Sequence, residues 1–297
     1  MSKCNICPRE CGVDRDHGFI GACHSSSELT VSKIMLHLWE EPCLVDKGGA
    51  GAVFFSGCNL GCVYCQNKKI SHGACGEKMS EDTLICEILK LEKMGADCIE
   101  FITPTHYTDQ LASLLSKIKH SLTVPVVWNS GGYEKVGSLR RLEGLVDIYM
   151  PDFKYFSHDI ARKYSSARDY RNFALSSLKE CVRQLGEPVF YDNGMLKSGV
   201  IVRHLILPSH RADSISVLEL IAREVGVKNV ILSLMGQYTP DFYKVSVEGN
   251  DGLVYKNLCR KITSFEYDSV LAEALRLGFD GYFQSLSSAS ADYTPSF

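Results

Sequence analysis

The chain has 297 residues, of which 45% are hydrophobic, so it can bury one large core and a single α/β domain is expected rather than two small ones. A formal net charge of −3 gives no basic excess for binding nucleic acid. No apolar stretch reaches the length that spans a bilayer and no secretory signal is evident, so we expect a cytoplasmic protein with no membrane contact.

The N-terminal 49 residues differ in composition from the rest, and we assign residues 1–49 to a cysteine-rich segment preceding a domain of residues 50–297. Thirteen cysteines in a chain without a secretory signal indicate metal chemistry rather than disulfides. Four of them, Cys4, Cys7, Cys11 and Cys23, fall within about twenty residues. This group predicts a second metal site, and both zinc and a second iron–sulfur cluster remain open.

A second cysteine motif follows a short apolar run that ends in Gly57. Cys58, Cys62 and Cys65 are spaced Cys-x3-Cys-x2-Cys. Thiolates are the usual ligands of iron–sulfur clusters, and three of them leave one iron of a [4Fe–4S] cube free. Structural zinc is the alternative, but zinc sites usually carry two Cys-x2-Cys pairs, and only Cys62 and Cys65 form one here. The spacing therefore favours a [4Fe–4S] cluster.

From residue 50 onward, strand-like and helix-like runs alternate. Strands are predicted at residues 52–56, 98–103, 124–129, 146–153, 200–207, 229–235 and 282–284. Helices are predicted at 80–94, 108–119, 134–142, 170–185, 214–224 and 266–277, the first beginning at the N-cap Ser80. About six βα units predict a parallel sheet curled into an open barrel, since a closed barrel needs eight. In such folds the chemically important residues lie at the C-terminal ends of strands.

Several segments besides the cysteine loop carry a family resemblance. They are HLWEEP at 37–42, TPTHY at 103–107, SGGYE at 130–134, VDIYMPDFKY at 146–155, VRHLILP at 202–208 and MGQYTP at 235–240. Together they resemble the PflX-type iron–sulfur proteins of the radical S-adenosylmethionine (SAM) superfamily, relatives of pyruvate formate-lyase activating enzyme, over nearly the whole chain. The resemblance implies an α/β fold, namely a partial (βα)6 radical SAM barrel with a cysteine-rich N-terminal extension.

The resemblance also implies a reaction. A [4Fe–4S] cluster at Cys58, Cys62 and Cys65 would pass one electron to SAM, giving methionine and a 5′-deoxyadenosyl radical that takes a hydrogen atom from the substrate. A flavodoxin- or ferredoxin-type electron donor is implied, because the chain has no dinucleotide-binding fingerprint. The substrate would be a glycyl radical protein, and chemistry on a small molecule or peptide is the alternative. A non-catalytic iron–sulfur or zinc module is a third hypothesis.

The resemblance places the cofactor-binding residues near predicted strand ends. Tyr64 would lie beside the adenine. Activating enzymes end the strand after the cluster loop in Gly-Gly-Glu, which this chain lacks, so Thr103 and Thr105 are the candidates for that amino-group contact. The other candidates are Asn129 and Ser130 for the carboxylate or ribose, Asp152 and Lys154 near the methionine moiety, and Arg203 and His204 near the ribose. A surface ion pair is the alternative for Asp152 and Lys154.

Two further expectations concern side chains around the cavity. Because residues on a strand alternate between its faces, only one of Arg203 and His204 should face inward. Candidates for the substrate side are Glu40, Glu41, His106 and Gln237. For His106 a structural role is the alternative, since a lone histidine beside an apolar run is more often a satisfied core residue.

Overall fold

In the computed structural model, which describes residues 3–72, 75–240, 255–284 and 286, the described strands join one curled sheet. The strands are β1 (Thr30–His37), β2 (Ala50–Phe55), β3 (Glu77–Lys78), β4 (Cys98–Ile102), β5 (Val126–Ser130), β6 (Ile148–Pro151), β7 (Val189–Phe190), β8 (Leu196–Leu205), β9 (Ile231–Met235) and β10 (Gly281–Phe283). Their order is β10-β9-β8-β6-β5-β4-β2-β1-β3, with β7 beside β8.

Neighbours from β2 to β10 in this order run parallel, whereas β1, β3 and β7 pair antiparallel. This confirms the predicted α/β fold with a mostly parallel sheet. The sheet stays open, yet Glu41, just beyond β1, accepts a hydrogen bond from Ser233 of β9. Two distant parts of the sheet order are therefore close in space, as the curvature of a partial barrel requires.

The described helices are α1 (Lys68–Ser71), α2 (Glu81–Lys93), α3 (Thr108–Ile118), α4 (Val136–Leu139), α5 (His158–Ser165), α6 (Tyr170–Leu185), α7 (Arg211–Glu224) and α8 (Ser264–Leu277). Ser80 caps α2 as predicted, since its side chain accepts the Thr83 N–H. Thr263 and Glu266 form a capping box at the start of α8. No described helix combines the length and apolarity needed to cross a membrane.

The predicted helix at 134–142 is the main difference in the helical elements. Only one turn, α4, is α-helical, and a 3-10 turn covers Arg140–Leu142. The helix starts only at Val136, because the backbone at Lys135 is extended (φ −92°, ψ 138°). The buried Glu134 carboxylate instead accepts hydrogen bonds from Thr105, Trp128 and Ser130. The sequence prediction also omitted α5, although Ser157 caps it by accepting the Ile160 N–H.

The predicted boundary between residues 49 and 50 falls inside the sheet. β1 was not predicted, yet it pairs along its length with β2, from Val31 opposite Phe55 to His37 opposite Ala50. Residues 30–49 thus belong to the barrel, and the irregular cysteine-rich part ends before Thr30. Most residues of β1 are half-buried without alternating burial, which explains why the periodicity did not identify it.

The two faces of the sheet carry different cores. The helix-facing side buries large apolar residues, among them Phe55, Phe101, Trp128, Tyr149 and Val202. The inner side is apolar near the strand starts, where Cys43 and Leu44 pack against Ala50, Cys98, Val127, Ile148 and Ile201. Towards the strand ends the inner side becomes polar, with Glu100, Asn129, Asp152 and Arg203 at positions that alternate with the outer core. The sheet therefore presents a polar inner surface at the end where chemistry is expected.

Candidate metal centre and active site

The cysteine loop leaves β2 through a tight turn at Gly57. Gly57 has φ +85°, and a Cβ at this position would come within 2.3 Å of the Cys23 carbonyl oxygen. The Cys58 N–H donates to that same oxygen at 3.0 Å. A glycine is therefore required here, both for its left-handed backbone and for the close approach of the N-terminal segment.

Each sulfur of the loop accepts a hydrogen bond from a different part of the chain. The Leu60 N–H donates to Cys58 Sγ at 3.4 Å. The Ser165 hydroxyl, at the end of α5, donates to Cys62 Sγ at 2.9 Å, and the Ser71 hydroxyl, at the end of α1, donates to Cys65 Sγ at 3.3 Å. Donors directed at sulfur stabilise thiolates and are one of the means by which proteins hold and tune iron–sulfur clusters.

The protonation of these cysteines also bears on the fit to a cluster. Burial, together with the neighbouring Cys62, raises the pKa of the Cys58 thiol to about 12, and burial likewise raises the pKa of Cys65. Such thiols lose their protons only when a metal compensates the charge. In the described parts of the chain no three ligating side chains already stand in a geometry that holds a metal ion. A bound cluster would therefore set the final positions of the three sulfurs.

Four of the predicted cofactor-binding residues form one hydrogen-bonded network on the inner side of the strand ends. Arg203 donates from Nη2 to Asn129 Oδ1 at 2.7 Å and from Nε to Asp152 Oδ1 at 3.0 Å. Lys154 Nζ donates to Asp152 Oδ2 at 2.5 Å. The Asp152 and Lys154 side chains are only 15% and 19% exposed, so this pair is not the surface ion pair of the alternative interpretation.

Asp152 is the electrostatic centre of this network. Burial alone would raise its pKa, but Lys154 and Arg203 outweigh burial and hold the pKa below its usual value. Burial would lower the pKa of Lys154 and of Arg203, but Asp152 raises both pKa values above their ordinary range. Glu40 and Glu41 also raise the pKa of Arg203. The three groups are therefore charged at neutral pH, and they present an anion and two cations at the ends of β6 and β8.

The floor of this polar region is acidic. Glu40 and Glu41 come from the segment after β1, and Glu100 comes from the inner face of β4. Asn129 Nδ2 donates to Glu100 Oε1 at 2.6 Å. Burial first and Glu40 second raise the pKa of Glu100 well above its ordinary value, and burial also raises the pKa of Glu40 and of Glu41. Proximity to Glu40 thus adds to burial in disfavouring the charged form of Glu100.

The predicted candidates Thr105 and Ser130 lie on the other side of the sheet from this network. The Thr105 hydroxyl donates to Glu134 Oε1 at 3.0 Å and the Ser130 hydroxyl donates to Glu134 Oε2 at 2.6 Å. Trp128 Nε1, on the helix-facing side, donates to the same carboxylate at 2.9 Å. Both hydroxyls are therefore structural donors here, which corrects their assignment as ligand contacts. The role of Glu134 was missed because its sequence position resembled the start of a helix.

Thr103 lies at the C-terminal end of β4, where it was expected from the sequence. It follows β4 directly and has φ +58°, an outlier for a β-branched residue. Its N–H donates to the Asn129 carbonyl oxygen at 2.9 Å, which holds it between β4 and β5. Residues kept in such strained conformations cluster at functional sites.

His204 and His106 lie elsewhere than expected. His204 alternates with Arg203 and faces the helices, where its Nδ1 is 2.6 Å from the Phe153 carbonyl oxygen. The expectation that only one of the pair faces inward is therefore met by Arg203. The fully buried His106 ring lies beneath the cluster loop, with Nε2 2.8 Å from the Ser56 carbonyl oxygen. Burial and Arg15 lower the pKa of His106 to about 3, so it is a neutral structural residue rather than a substrate contact.

Tyr64 and Gln237 complete the set of predicted ligand contacts. The half-buried Tyr64 packs edge-on against the rings of Tyr155, Tyr164 and Tyr238. Its hydroxyl is 2.7 Å from the Tyr155 hydroxyl. Gln237 follows β9, and its amide nitrogen is 4.0 Å from Met235 Sδ. Tyr64 thus stands in an aromatic wall beside the cysteine loop.

The four N-terminal cysteines form a second group of thiols next to this loop. Cys7 and Cys23 are buried, and Cys4 and Cys11 are half-buried. Two of them adjoin Gly21, where a Cβ would come within 3.3 Å of Cys11 Sγ and 3.4 Å of Cys23 Sγ.

Comparison with known proteins supports a cluster at the cysteine loop. Residues 46–149 match the family described as a 4Fe-4S single cluster domain, and this stretch contains Cys58, Cys62 and Cys65. An uncharacterized protein of Methanocaldococcus jannaschii is 27% identical over 296 residues, covering 94% of this chain and 76% of that protein.

Three solved structures resemble the chain trace. Methylornithine synthase (PylB) matches at 12% identity and a TM-score of 0.46, over 74% of this chain and 58% of that one. Streptococcus suis SuiB bound to its precursor peptide SuiA matches at 11% identity and a TM-score of 0.49, over 78% of this chain and 48% of that one. SuiB bound to S-adenosylmethionine matches at 10% identity and 0.49, over 79% and 50%. This chain spans only about half the length of these proteins.

Proposed function

We propose that this chain is a radical SAM enzyme that binds a [4Fe–4S] cluster at Cys58, Cys62 and Cys65. The observation that carries the proposal is the hydrogen-bonded three-cysteine loop at the end of β2, with Lys154 of the buried Asp152–Lys154–Arg203 network next to it. Three thiolates leave one iron of a cube without a protein ligand. The adjoining ionic network suits a ligand that carries both an amino group and a carboxylate, as the methionine part of SAM does.

When bound, the cluster would supply one electron to SAM, whose C5′–S bond breaks to give methionine and a 5′-deoxyadenosyl radical that takes a hydrogen atom from the substrate. The chain's own residues would hold SAM in place. Asp152 is an ionised acceptor for the amino group, and Lys154 and Arg203 are charged donors for the carboxylate. Thr103 stands at the end of β4, where its hydroxyl can take the place of the missing Gly-Gly-Glu contact.

The aromatic wall supports the same proposal. Tyr64 is fixed by three neighbouring tyrosine rings, so a flat base such as adenine can pack against a preorganised surface. An apolar wall of this kind also excludes water from the ligand. Tyr64 lies one residue before Cys65, so the wall and the cluster loop are built from the same turn.

We propose further that the enzyme is of the pyruvate formate-lyase activating type and draws its electron from a flavodoxin- or ferredoxin-type donor in the cytoplasm. The substrate would then be a flexible loop of a glycyl radical protein. The sequence resemblance supports this finer assignment. Chemistry on a small molecule or peptide is the alternative, and the acidic floor of Glu40, Glu41 and Glu100 is compatible with it. Gln237 would contact either substrate at the rim.

The first experiment measures 5′-deoxyadenosine formed by anaerobically reconstituted, dithionite-reduced protein with SAM. We expect product from the wild type and none from a Cys58→Ala, Cys62→Ala, Cys65→Ala triple variant. Cys86→Ser is the matched control, because Cys86 is exposed on α2 and remote in sequence from both cysteine groups. Turnover retained in the triple variant would refute the proposal. It would also be refuted by a wild type that holds about four irons more per chain than the triple variant and still leaves SAM intact with every substrate tested.

A separate experiment addresses the glycyl radical assignment. The reduced enzyme is incubated with SAM and a glycyl radical protein encoded beside it, and electron paramagnetic resonance (EPR) spectra are recorded. A glycyl doublet is the expected result. Formation of 5′-deoxyadenosine with a small molecule or peptide, without a doublet from any such protein, would replace this assignment by the alternative.

A further inference from the structure

The N-terminal thiol group consists of Cys4, Cys7, Cys11 and Cys23. Cys11 Sγ and Cys23 Sγ both lie against Gly21, where a Cβ would come within 3.3 Å and 3.4 Å of them. Among the described residues no three of these thiols already stand in a geometry that holds a metal ion, so binding would draw the sulfurs together. The thiolate is the metal-binding form of cysteine, and four cysteines this close in sequence are the ligands that zinc and iron–sulfur clusters use.

A buried cation accompanies these sulfurs. Arg15 is only 6% exposed, and its guanidinium lies 4.0 Å from Cys4 Sγ. Among the described residues its other contacts are the carbonyl oxygens of Ser25, Ser26 and His106 and the Tyr107 ring. None of these contacts carries a negative charge, whereas a buried guanidinium normally has an anionic partner. Four thiolates around a divalent zinc ion or a [4Fe–4S] cube carry net negative charge and would supply that partner.

The segment has little else to hold it in shape. Among described residues 3–29 the regular structure is a single 3-10 turn, Arg15–His17, and Phe19 and Ile20 are 63% and 57% exposed. A stretch without a substantial core folds stably when metal binding supplies the free energy. The backbone is nevertheless well defined by hydrogen bonds, including Cys4 N–H to the Val13 carbonyl and Gly12 N–H to the Cys4 carbonyl, both at 3.0 Å.

The thiol group is directly joined to the cluster loop. Arg9, between Cys7 and Cys11, donates to the carbonyl oxygens of Asn59 at 2.7 Å, Leu60 at 3.1 Å and Ser165 at 2.6 Å, and also to that of Ser166. The Cys23 carbonyl oxygen accepts the Cys58 N–H. One guanidinium thus fastens the cysteine loop to the end of α5, where Ser165 contacts Cys62 Sγ.

We propose that Cys4, Cys7, Cys11 and Cys23 bind a second thiolate-held metal group, either one zinc ion or an iron–sulfur cluster, which positions Arg9 and Cys23 to hold the cluster loop. The binding part of this inference stands on the N-terminal contacts alone. Its positioning part rests on the proposed function, because it concerns the cluster at Cys58, Cys62 and Cys65. Arg9 is a positioning residue in this scheme, acting through backbone carbonyls.

The binding part is tested in the Cys58→Ala, Cys62→Ala, Cys65→Ala protein, which lacks the first cluster's ligands and keeps the N-terminal segment. Metal and acid-labile sulfide are measured after anaerobic purification from medium containing both iron and zinc. We expect about one zinc per chain without sulfide, or about four irons with sulfide. Adding Cys7→Ser and Cys11→Ser should remove that metal, and adding Cys86→Ser instead should not. A metal-free triple variant, or one whose metal survives Cys7→Ser and Cys11→Ser, would overturn the proposal.

The positioning part is tested with Arg9→Ala in the otherwise unchanged chain. We expect the first cluster to lose iron to a chelator at least about fivefold faster, while the N-terminal metal, measured in the triple-variant background, remains. Arg9→Lys should resemble Arg9→Ala, since one ammonium cannot reach four carbonyl oxygens in a fork. Release at the wild-type rate would refute the positioning role. Neither result depends on SAM cleavage, so failure of the proposed function is seen separately in the 5′-deoxyadenosine assay.

Discussion

A chain of three hydroxyl groups leads from the aromatic wall to the cluster loop. Tyr64 and Tyr155 hydroxyls are 2.7 Å apart, the Tyr155 and Ser165 hydroxyls are 2.7 Å apart, and Ser165 donates to Cys62 Sγ at 2.9 Å. Ser165 is 1% exposed, so water cannot readily replace its hydroxyl. We therefore predict that Ser165→Ala lowers the reduction potential of the cluster.

The magnitude follows from the strength of this hydrogen bond in the two redox states. A hydrogen bond to a charged group contributes about 1.5–3 kcal/mol. Reduction adds one electron that is shared over the whole cluster, so only part of that energy, about 1 kcal/mol, differs between the two states. For a one-electron couple, 1.4 kcal/mol corresponds to about 59 mV. The expected shift is therefore roughly −40 mV, because the variant stabilises the more negative, reduced cluster less well.

The assay is a redox titration of the SAM-free cluster followed by EPR, on protein with matched iron content. Tyr155→Phe should shift the potential in the same direction by a smaller amount, since Ser165 keeps its bond to sulfur. Ser176→Ala is the control, because the Ser176 hydroxyl is exposed and donates only to the Asn172 carbonyl of its own helix. A Ser165→Ala potential within about 10 mV of the wild type, at full iron loading, would refute the reasoning.

Three further predictions concern the strand ends and α8. Asp152→Asn leaves Arg203 and Lys154 without their anionic partner and should weaken SAM binding at least tenfold in an EPR titration; unchanged affinity would contradict the assigned role. Thr103→Gly removes backbone strain of about 1–3 kcal/mol, and the greater flexibility of glycine in the unfolded chain offsets about 0.5–1 kcal/mol of this gain. The free energy of unfolding in urea should therefore rise by about 1 kcal/mol, and a fall would contradict the prediction. Glu266, bonded by Arg260, has its pKa lowered from 4.5 to about 2, so its stabilisation is present above pH 4.5 and is lost as the pH falls towards 2. Glu266→Gln should therefore cost about 2 kcal/mol at neutral pH, allowing for the exposure of Arg260, and a deficit undiminished at pH 3 would count against this explanation.

The sequence predicted the parallel part of the fold well because most of its strands, unlike the half-buried β10, are buried on both faces. The runs Cys98–Ile102 and Val126–Ser130 are fully buried and rich in apolar residues, and both were found at almost the predicted positions. β1 was not predicted because most of its residues are half-buried and show no alternation between a buried and an exposed face. Its pairing with β2 is a tertiary contact that local periodicity does not contain.

The site was predictable where the residue type itself limits the chemistry. Three closely spaced cysteines and an Asp-x-Lys pair at a strand end were chosen on residue type, and the structure brings Lys154 of that pair near Cys65 of the cysteine loop. Glu100 was missed because one carboxylate inside an apolar run has no local signature, and its partners Asn129 and Glu40 come from distant segments. Conversely, Thr105 and Ser130 were chosen as polar residues at strand ends, but both hydroxyls bond the buried Glu134 instead.

The cysteine motif accounts for only part of what the site requires. Its sulfurs accept hydrogen bonds from Leu60, Ser71 and Ser165. Arg9 donates to the carbonyl oxygens of Asn59, in the loop, and of Ser165, at the end of α5. Burial raises the pKa of the Cys58 thiol, so it forms a thiolate only when a metal compensates the charge. Hydrogen bonds to a thiolate are stronger than those to a thiol, so the bonds to the loop sulfurs reach their full strength only when the cluster is bound. Loading the cluster should therefore stabilise α5 and the N-terminal segment together with the loop. Hydrogen exchange slowed at all three on reconstitution is the expected result, whereas protection confined to the loop would show that the segments act independently.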